Sequence, residues 1–291
     1  MASNDNLNES SAAQILVDAR WLAGHRGDPN VILVDTRAPA DYWAGHLAGA
    51  RHFDPFPFHH VDTDEAHLRD FRGQLDWIFS ALGVTPDSTI VFYENDSGMR
   101  ATRAAWALEY MGHPAVRILD GGLKCANAEL VTTVTPHAPV NFKGNVRADL
   151  IAGRGYIVEH IGNGGVQIFD VRSDEEYFGE RVRAKHAGAV PGAIHRDWTQ
   201  SVGADGRFKP AAQLREVFAG LGFDPESEII PYCQGGYRSA NAYVALRLAG
   251  YKRVRNYLGS WGEWGNRDDL PMEHPRRKHR SAADHAKAGS N

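Results

Sequence analysis

A run of landmark residues occurs twice in this chain at a fixed separation. Leu75, Phe79, Leu82, Gly83, Pro86 and Ile90 return as Leu214, Phe218, Leu221, Gly222, Pro225 and Ile229, with 229 − 90 = 139 for the last pair and the same offset throughout. Further upstream, Val31-Ile32-Leu33-Val34-Asp35-Thr36-Arg37 is echoed by Val166-Gln167-Ile168-Phe169-Asp170-Val171-Arg172, and Gly45 to Ala50 by Gly188 to Ala193. A repeat of this length is one folding unit used twice. The 291 residues suit two domains of ordinary size, and 43% apolar with 23% charged residues is globular composition.

Within each copy the pattern alternates between short apolar runs and helical periods. Val31–Asp35, Thr89–Tyr93 and Val116–Leu119 read as strands covered on both faces, while helices are expected from about Asp70 to Leu82 and from Arg100 to Met111. The expected fold is α/β: two tandem domains, each an open, mostly parallel sheet flanked by helices. The boundaries follow from composition. Residues 1–16 are a polar N-terminal segment, 17–134 the first domain and 135–146 a linker with Pro136, Pro139 and Gly144. Residues 147–275 form the second domain, and 276–291 a basic, polar, solvated tail.

Several function classes drop out. The net charge of −4 and pI of about 6.4 give no footprint for nucleic acid or an anionic membrane. No apolar run approaches the roughly 20 residues that span a bilayer, and the first residues lack the pattern of a signal peptide. A cytoplasmic, monomeric protein is expected. Two cysteines, Cys125 and Cys233, exclude a disulfide scaffold, and the 14 histidines show no metal-ligand spacing, so neither metal nor cofactor is expected.

The two copies differ most where the second has Cys233-Gln234-Gly235-Gly236-Tyr237-Arg238. An apolar strand, Glu228–Tyr232, leads into this loop and a helix, with Ala242, Ala245 and Leu246 on one face, leaves it. Such a strand–loop–helix turn gathers backbone N–H groups and a helix N-terminus around one small space that favours an anion, here the Cys233 thiolate. Opposite Cys233 the first copy has Glu94, in the loop Glu94-Asn95-Asp96-Ser97-Gly98-Met99-Arg100. A buried structural cysteine would face an apolar residue in its sister. An acidic counterpart fits a nucleophile kept in one copy only.

The tandem copies, the Asp-x-Arg after the first strand of each (Asp35-Thr36-Arg37 and Asp170-Val171-Arg172), the Gly-x-x-x-Gly-Ala turns and the loop from Cys233 to Arg238 together resemble the two-domain rhodanese sulfurtransferases. Gly259-Ser260-Trp261-Gly262-Glu263-Trp264-Gly265 is similar to a segment of the bacterial thiosulfate sulfurtransferase branch. The resemblance implies that Cys233 takes the outer sulfur of thiosulfate as a persulfide and passes it to cyanide or a thiol. It implies Arg238 as a cation that lowers the thiol pKa or holds the sulfonate end of the substrate, and N–H groups from Gln234 through Gly235, Gly236 and Tyr237 to Ser239 as the anion cradle. Arg183 and Lys185, with Arg181 and His186 in an insertion absent from the first copy, are expected to supply substrate-binding charge, because Glu176 stands where many relatives have arginine. Trp261 is expected in the pocket wall. Asp170 and Arg172 are expected to fix a turn.

Three rival functions remain. A cysteine phosphatase needs five residues between Cys and Arg, against four here. A 3-mercaptopyruvate sulfurtransferase usually has Cys-Gly-Ser/Thr-Gly-Val-Thr. The third is a non-catalytic sulfur-relay or binding module.

Overall fold

A computed structural model describes residues 15–277. In the first domain the elements run β1 (Leu16–Val17), α1 (Ala19–Gly24), β2 (Val31–Asp35), α2 (Pro39–Ala44), β3 (His46–Leu47), β4 (Arg51–His52), α3 (Glu65–Ala81), β5 (Thr89–Tyr93), α4 (Met99–Tyr110), β6 (Val116–Leu119), α5 (Gly122–Ala126) and β7 (Leu130–Val131). The sheet order is β1-β6-β5-β2-β4 and every pairing in it is parallel. The apolar runs of β2 and β5 lie at its centre, where helices cover both faces. α3 begins five residues before the hydrophobic period suggests, because its first turn is polar and Asp64 caps it, accepting from the His67 N–H at 2.9 Å.

The second domain repeats the plan with β8 (Ile151–Ala152), α6 (Arg154–His160), β9 (Val166–Asp170), α7 (Asp174–Tyr177), β10 (Ile194–His195), α8 (Ala211–Gly220), β11 (Glu228–Tyr232), α9 (Arg238–Leu248), β12 (Asn256–Tyr257) and α10 (Ser260–Trp264). Here the sheet is interrupted. β10-β9-β11 and β12-β8 are separate ladders, joined by the single bridge Ile229–Val254. Ile229 donates to Arg253 O at 2.8 Å and accepts from Arg255 N at 3.1 Å, but two residues on stands Pro231, which has no N–H to continue that ladder. The sister residue is Phe92, and there the ladder runs on to Ile118.

The linker is a strap. Val140 N bonds Ser80 O at 3.0 Å, Asn145 N bonds Met111 O at 2.9 Å, and Phe142 is buried in the core. One hydrophobic cluster runs through both domains, from Phe71 and Trp106 to Phe218 and Tyr243, with α4 packed on α9 across the junction. Arg277, at the start of the basic tail, pairs with Glu180 at 2.8 Å. The rest of that tail and the polar N-terminal segment up to residue 14 lie outside the described residues. Among the described residues no helix is long and apolar enough to cross a membrane.

Candidate active site

Cys233 follows the last residue of β11, and its side chain is almost wholly buried. Burial pushes a thiol up; the Arg238 charge, the N–H groups of Gly235 and Ser239 and the Ser239 hydroxyl outweigh it and hold Cys233 below the ordinary thiol range. The Ser239 Oγ lies 3.6 Å from the sulfur. Arg238 opens α9, and its guanidinium grips Glu176 with both ends, Nη1 to Oε2 at 2.5 Å and Nη2 to Oε1 at 3.0 Å. Glu176 is correspondingly ionised: burial raises its pKa, but Arg238 and Arg183 overcome this and bring it down to about 2.

The loop's shape is set by where its carbonyls go. Cys233 O accepts from Trp261 N at 2.9 Å, Gln234 O from Gly262 N at 2.7 Å, and Gly236 O from Asn256 Nδ2 at 3.1 Å. In a planar trans peptide the N–H points opposite to the C=O, so the N–H groups of Gln234, Gly235 and Tyr237 turn away from these partners, and that of Gly235 reaches the sulfur. Two N–H groups face elsewhere: those of Cys233 and Gly236 both donate to Ser260 Oγ at 3.1 Å. The expected cradle therefore lacks the Gly236 N–H, which is used to fasten the loop. Gly236 itself has φ +82°, a left-handed angle that favours glycine. A Cβ on Gly235 would overlap the ring of His59, which the first domain lays against the loop.

The other candidates fall into distinct places. Arg183 stands at the rim with Nε 3.5 Å from Glu176, and its carbonyl accepts from Gln234 Nε2 at 3.2 Å. Lys185 is directed elsewhere, its ammonium on Asp268 at 2.5 Å. Trp261 lies in a buried core cluster with Tyr232, Tyr257 and Trp264, and Arg172 stands 4.5 Å over its ring. Tyr237 points into the other domain: its hydroxyl bonds Pro55 O at 3.0 Å and its ring stacks on Phe56. Asp170 and Arg172 fix a turn, with Arg172 Nη2 reaching Asp170 at 2.6 Å and Gly188 O at 2.7 Å, as Arg37 does with Asp35 and Gly45 O.

The sister loop keeps the scaffold without the nucleophile. Leu123 N and Lys124 N bind Glu94 O and Asn95 O at 2.9 Å, the counterparts of the Trp261 and Gly262 bonds. The Glu94 carboxylate folds into its own cradle and accepts from Arg100 N at 2.7 Å and Ala101 N at 2.8 Å. Burial pushes its pKa up to about 7.

The model of the rhodanese-like domain matches the chain twice, over residues 18–128 and 154–267. The chain belongs to the rhodanese family. This rhodanese is 35% identical to the thiosulfate sulfurtransferase of Pseudomonas aeruginosa over 263 residues, covering 89% of this chain and 97% of that one. It is 32% identical to the thiosulfate sulfurtransferase of Azotobacter vinelandii, covering 92% and 100%. It is 33% identical to a sulfur carrier protein of Thermus thermophilus, covering 89% and 96%. In fold it is similar to wild-type EanB, with a TM-score of 0.81 at 23% identity over 91% of this chain and 70% of that one. The residues that sequence reasoning missed, Ser260, Asn256, His59 and Arg103, are far from Cys233 in sequence. Only Ser260 carried a local signal, in the Gly-Ser-Trp segment similar to that branch.

Proposed function

We propose that this rhodanese is a thiosulfate sulfurtransferase that works through a Cys233 persulfide. The Cys233 thiolate attacks the outer sulfur of thiosulfate, the sulfur–sulfur bond of the donor breaks, and sulfite leaves with the bonding pair. Charge is conserved, since thiolate plus thiosulfate dianion gives persulfide anion plus sulfite dianion. Cyanide or a thiolate then attacks the outer sulfur of the persulfide, and Cys233 leaves as thiolate. The same N–H groups that hold the thiolate hold the persulfide anion one bond further out.

The observation that carries this reading is the buried Cys233 thiol held below its ordinary range by Arg238 and the loop N–H groups. Against a phosphatase stand the four residues between Cys233 and Arg238 and the engagement of the Arg238 Nη1/Nη2 fork by Glu176, which withholds that fork from a phosphoryl group.

The test is mass spectrometry of the protein after thiosulfate, 3-mercaptopyruvate or a phosphoester. A gain of about 32 Da on Cys233 from thiosulfate, lost with cyanide as thiocyanate appears, supports the reading. No adduct from thiosulfate overturns it.

A further inference from the structure

The two loops are tied to each other's domains by a reciprocal pair of side chains. α4 and α9 correspond at an offset of 138, as Arg100 and Arg238 do, and at that offset Arg103 of α4 is the sister of Asn241 of α9. Asn241 reaches back across the junction and donates to Ser97 O at 2.8 Å and Gly98 O at 3.2 Å, in the loop of the first domain. Arg103 reaches forward, with Nη1 3.4 Å from Gly236 O, in the loop of the second. Gly98 and Gly236 are themselves sisters at 138. Each domain thus holds the other's loop at the same peptide, but the partners differ in charge. The loop with the carboxylate of Glu94 receives a neutral amide; the loop with Cys233 receives a cation.

Arg103 is an expensive residue to keep there. Its side chain is 3% exposed, and among the described residues it has no carboxylate partner and its Nη2 has no hydrogen-bond partner. The rings of Trp106, Tyr237 and Phe71, 4.8, 5.1 and 5.4 Å from the guanidinium carbon, supply partial compensation. Burial pushes its pKa down to about 10 against the opposing pull of Tyr237 and Cys233, so it is a cation at neutral pH. A buried guanidinium without a counter-ion is costly unless a nearby anion offsets it, and besides the Tyr237 phenol the group that pulls on it is the sulfur of Cys233.

We propose that Arg103, a residue of the domain that lacks Cys233, is a positioning residue of the catalytic loop. Its charge favours the anionic sulfur on Cys233, and its hold on Gly236 O, shared with Asn256, keeps the Tyr237 N–H turned to the sulfur side. The loop carries a single cation of its own, Arg238, whose fork Glu176 occupies; Arg103 provides a second from across the junction. The proposal rests on the thiolate reading of Cys233 but not on any donor or acceptor.

The experiment is the pH dependence of Cys233 alkylation by iodoacetamide in the full chain before any sulfur is loaded, for Arg103→Gln, Arg103→Lys and Asn241→Ala, with Cys125→Ser as background. Arg103→Gln is expected to move the midpoint up by about one pH unit, a tenfold slower reaction below it. Arg103→Lys, which keeps the charge, is expected to stay near the parent midpoint while kcat falls severalfold as the Gly236 peptide is released. Asn241→Ala loosens the same junction without touching charge and is expected to leave the midpoint in place. An unshifted midpoint in Arg103→Gln, or an equal shift in all three, overturns the proposal. Should the Gln variant not fold, Arg103→Met keeps the stem among the three rings and carries the same expectation. Alkylation reads the thiolate whatever the sulfur donor, so a failed persulfide assay and a failed Arg103 test are separate results.

Discussion

Glu176 does two things to its neighbours that pull in opposite directions. It secures Arg238 through two hydrogen bonds, and by doing so it withholds that fork from an incoming sulfonate. Replacement with glutamine is therefore expected to lower the thiosulfate KM severalfold while it destabilises the fold, a split that steady-state kinetics and thermal melting measure side by side. The pH dependence has a definite sign. The folded carboxyl sits at about 2 against an ordinary 4.5, so its stabilising contribution is fully present above pH 4.5 and is lost as pH falls through 2. The shift corresponds to on the order of 3 kcal/mol, reduced by solvent on the Arg183 side. The Tm difference between parent and Glu176→Gln should accordingly narrow from pH 7 to pH 3. A gap that stays constant over that range would mean the carboxylate charge is not what holds Arg238.

At the scale of elements, the start of α10 is what shapes the catalytic loop. Ser260 has φ +52°, the same left-handed angle as its sister Gly122, and a serine there bears a cost of about 1 kcal/mol that glycine does not. Its hydroxyl accepts from Cys233 N and Gly236 N and donates to Tyr257 O at 2.8 Å. Ser260→Gly and Ser260→Ala should both cut thiocyanate formation by about tenfold or more, since both free the loop. The Ala variant should be the less stable by about 1 kcal/mol, because it keeps the strained angle without the bonds. Denaturant melts rank them, and an Ala variant as active as the parent would remove Ser260 from the site. Such elements also mark how far the sequence could be read. The strands Val31–Asp35, Thr89–Tyr93 and Val116–Leu119 have the bounds their apolar runs suggest, because a doubly covered strand is encoded by its own residues. The two-residue strands β1, β8 and β12 have no such signature; each exists through a distant partner, as Leu16–Val17 does through Ile118 and Leu119. The Cys233 loop was legible through its contrast with Glu94. The reciprocal hold of Arg103 and Asn241 was written in the same alignment, but a charge difference at two helical positions has meaning only once α4 and α9 are seen face to face.

The whole molecule behaves as one object if the junction is as strong as its parts. Besides the shared hydrophobic cluster, a buried carboxylate bridges the domains: Glu263 of α10 accepts from Thr63 N at 2.8 Å and Thr63 Oγ1 at 2.7 Å in the first domain, and from Arg154 at 2.6 Å and Tyr257 OH at 2.8 Å in the second. Tyr243 and Arg247 of α9 both reach Glu109 of α4, at 2.9 and 3.2 Å. Separating the domains would expose the cluster and strand these charges together, so neither half has an independent melting step. Calorimetry of the full chain is expected to show a single transition with calorimetric and van't Hoff enthalpies in agreement. Glu263→Gln, which removes the buried carboxylate while Asp62 stays on Arg154, should cost about 2 kcal/mol and lower Tm by roughly 5 °C, still in one step. Two resolved transitions in the parent would mean that the first domain is a passenger, and that the loop around Cys233 is shaped by its own domain alone. A single transition is what a site built from both domains requires, since the cation behind the loop and the cysteine within it must then be lost together.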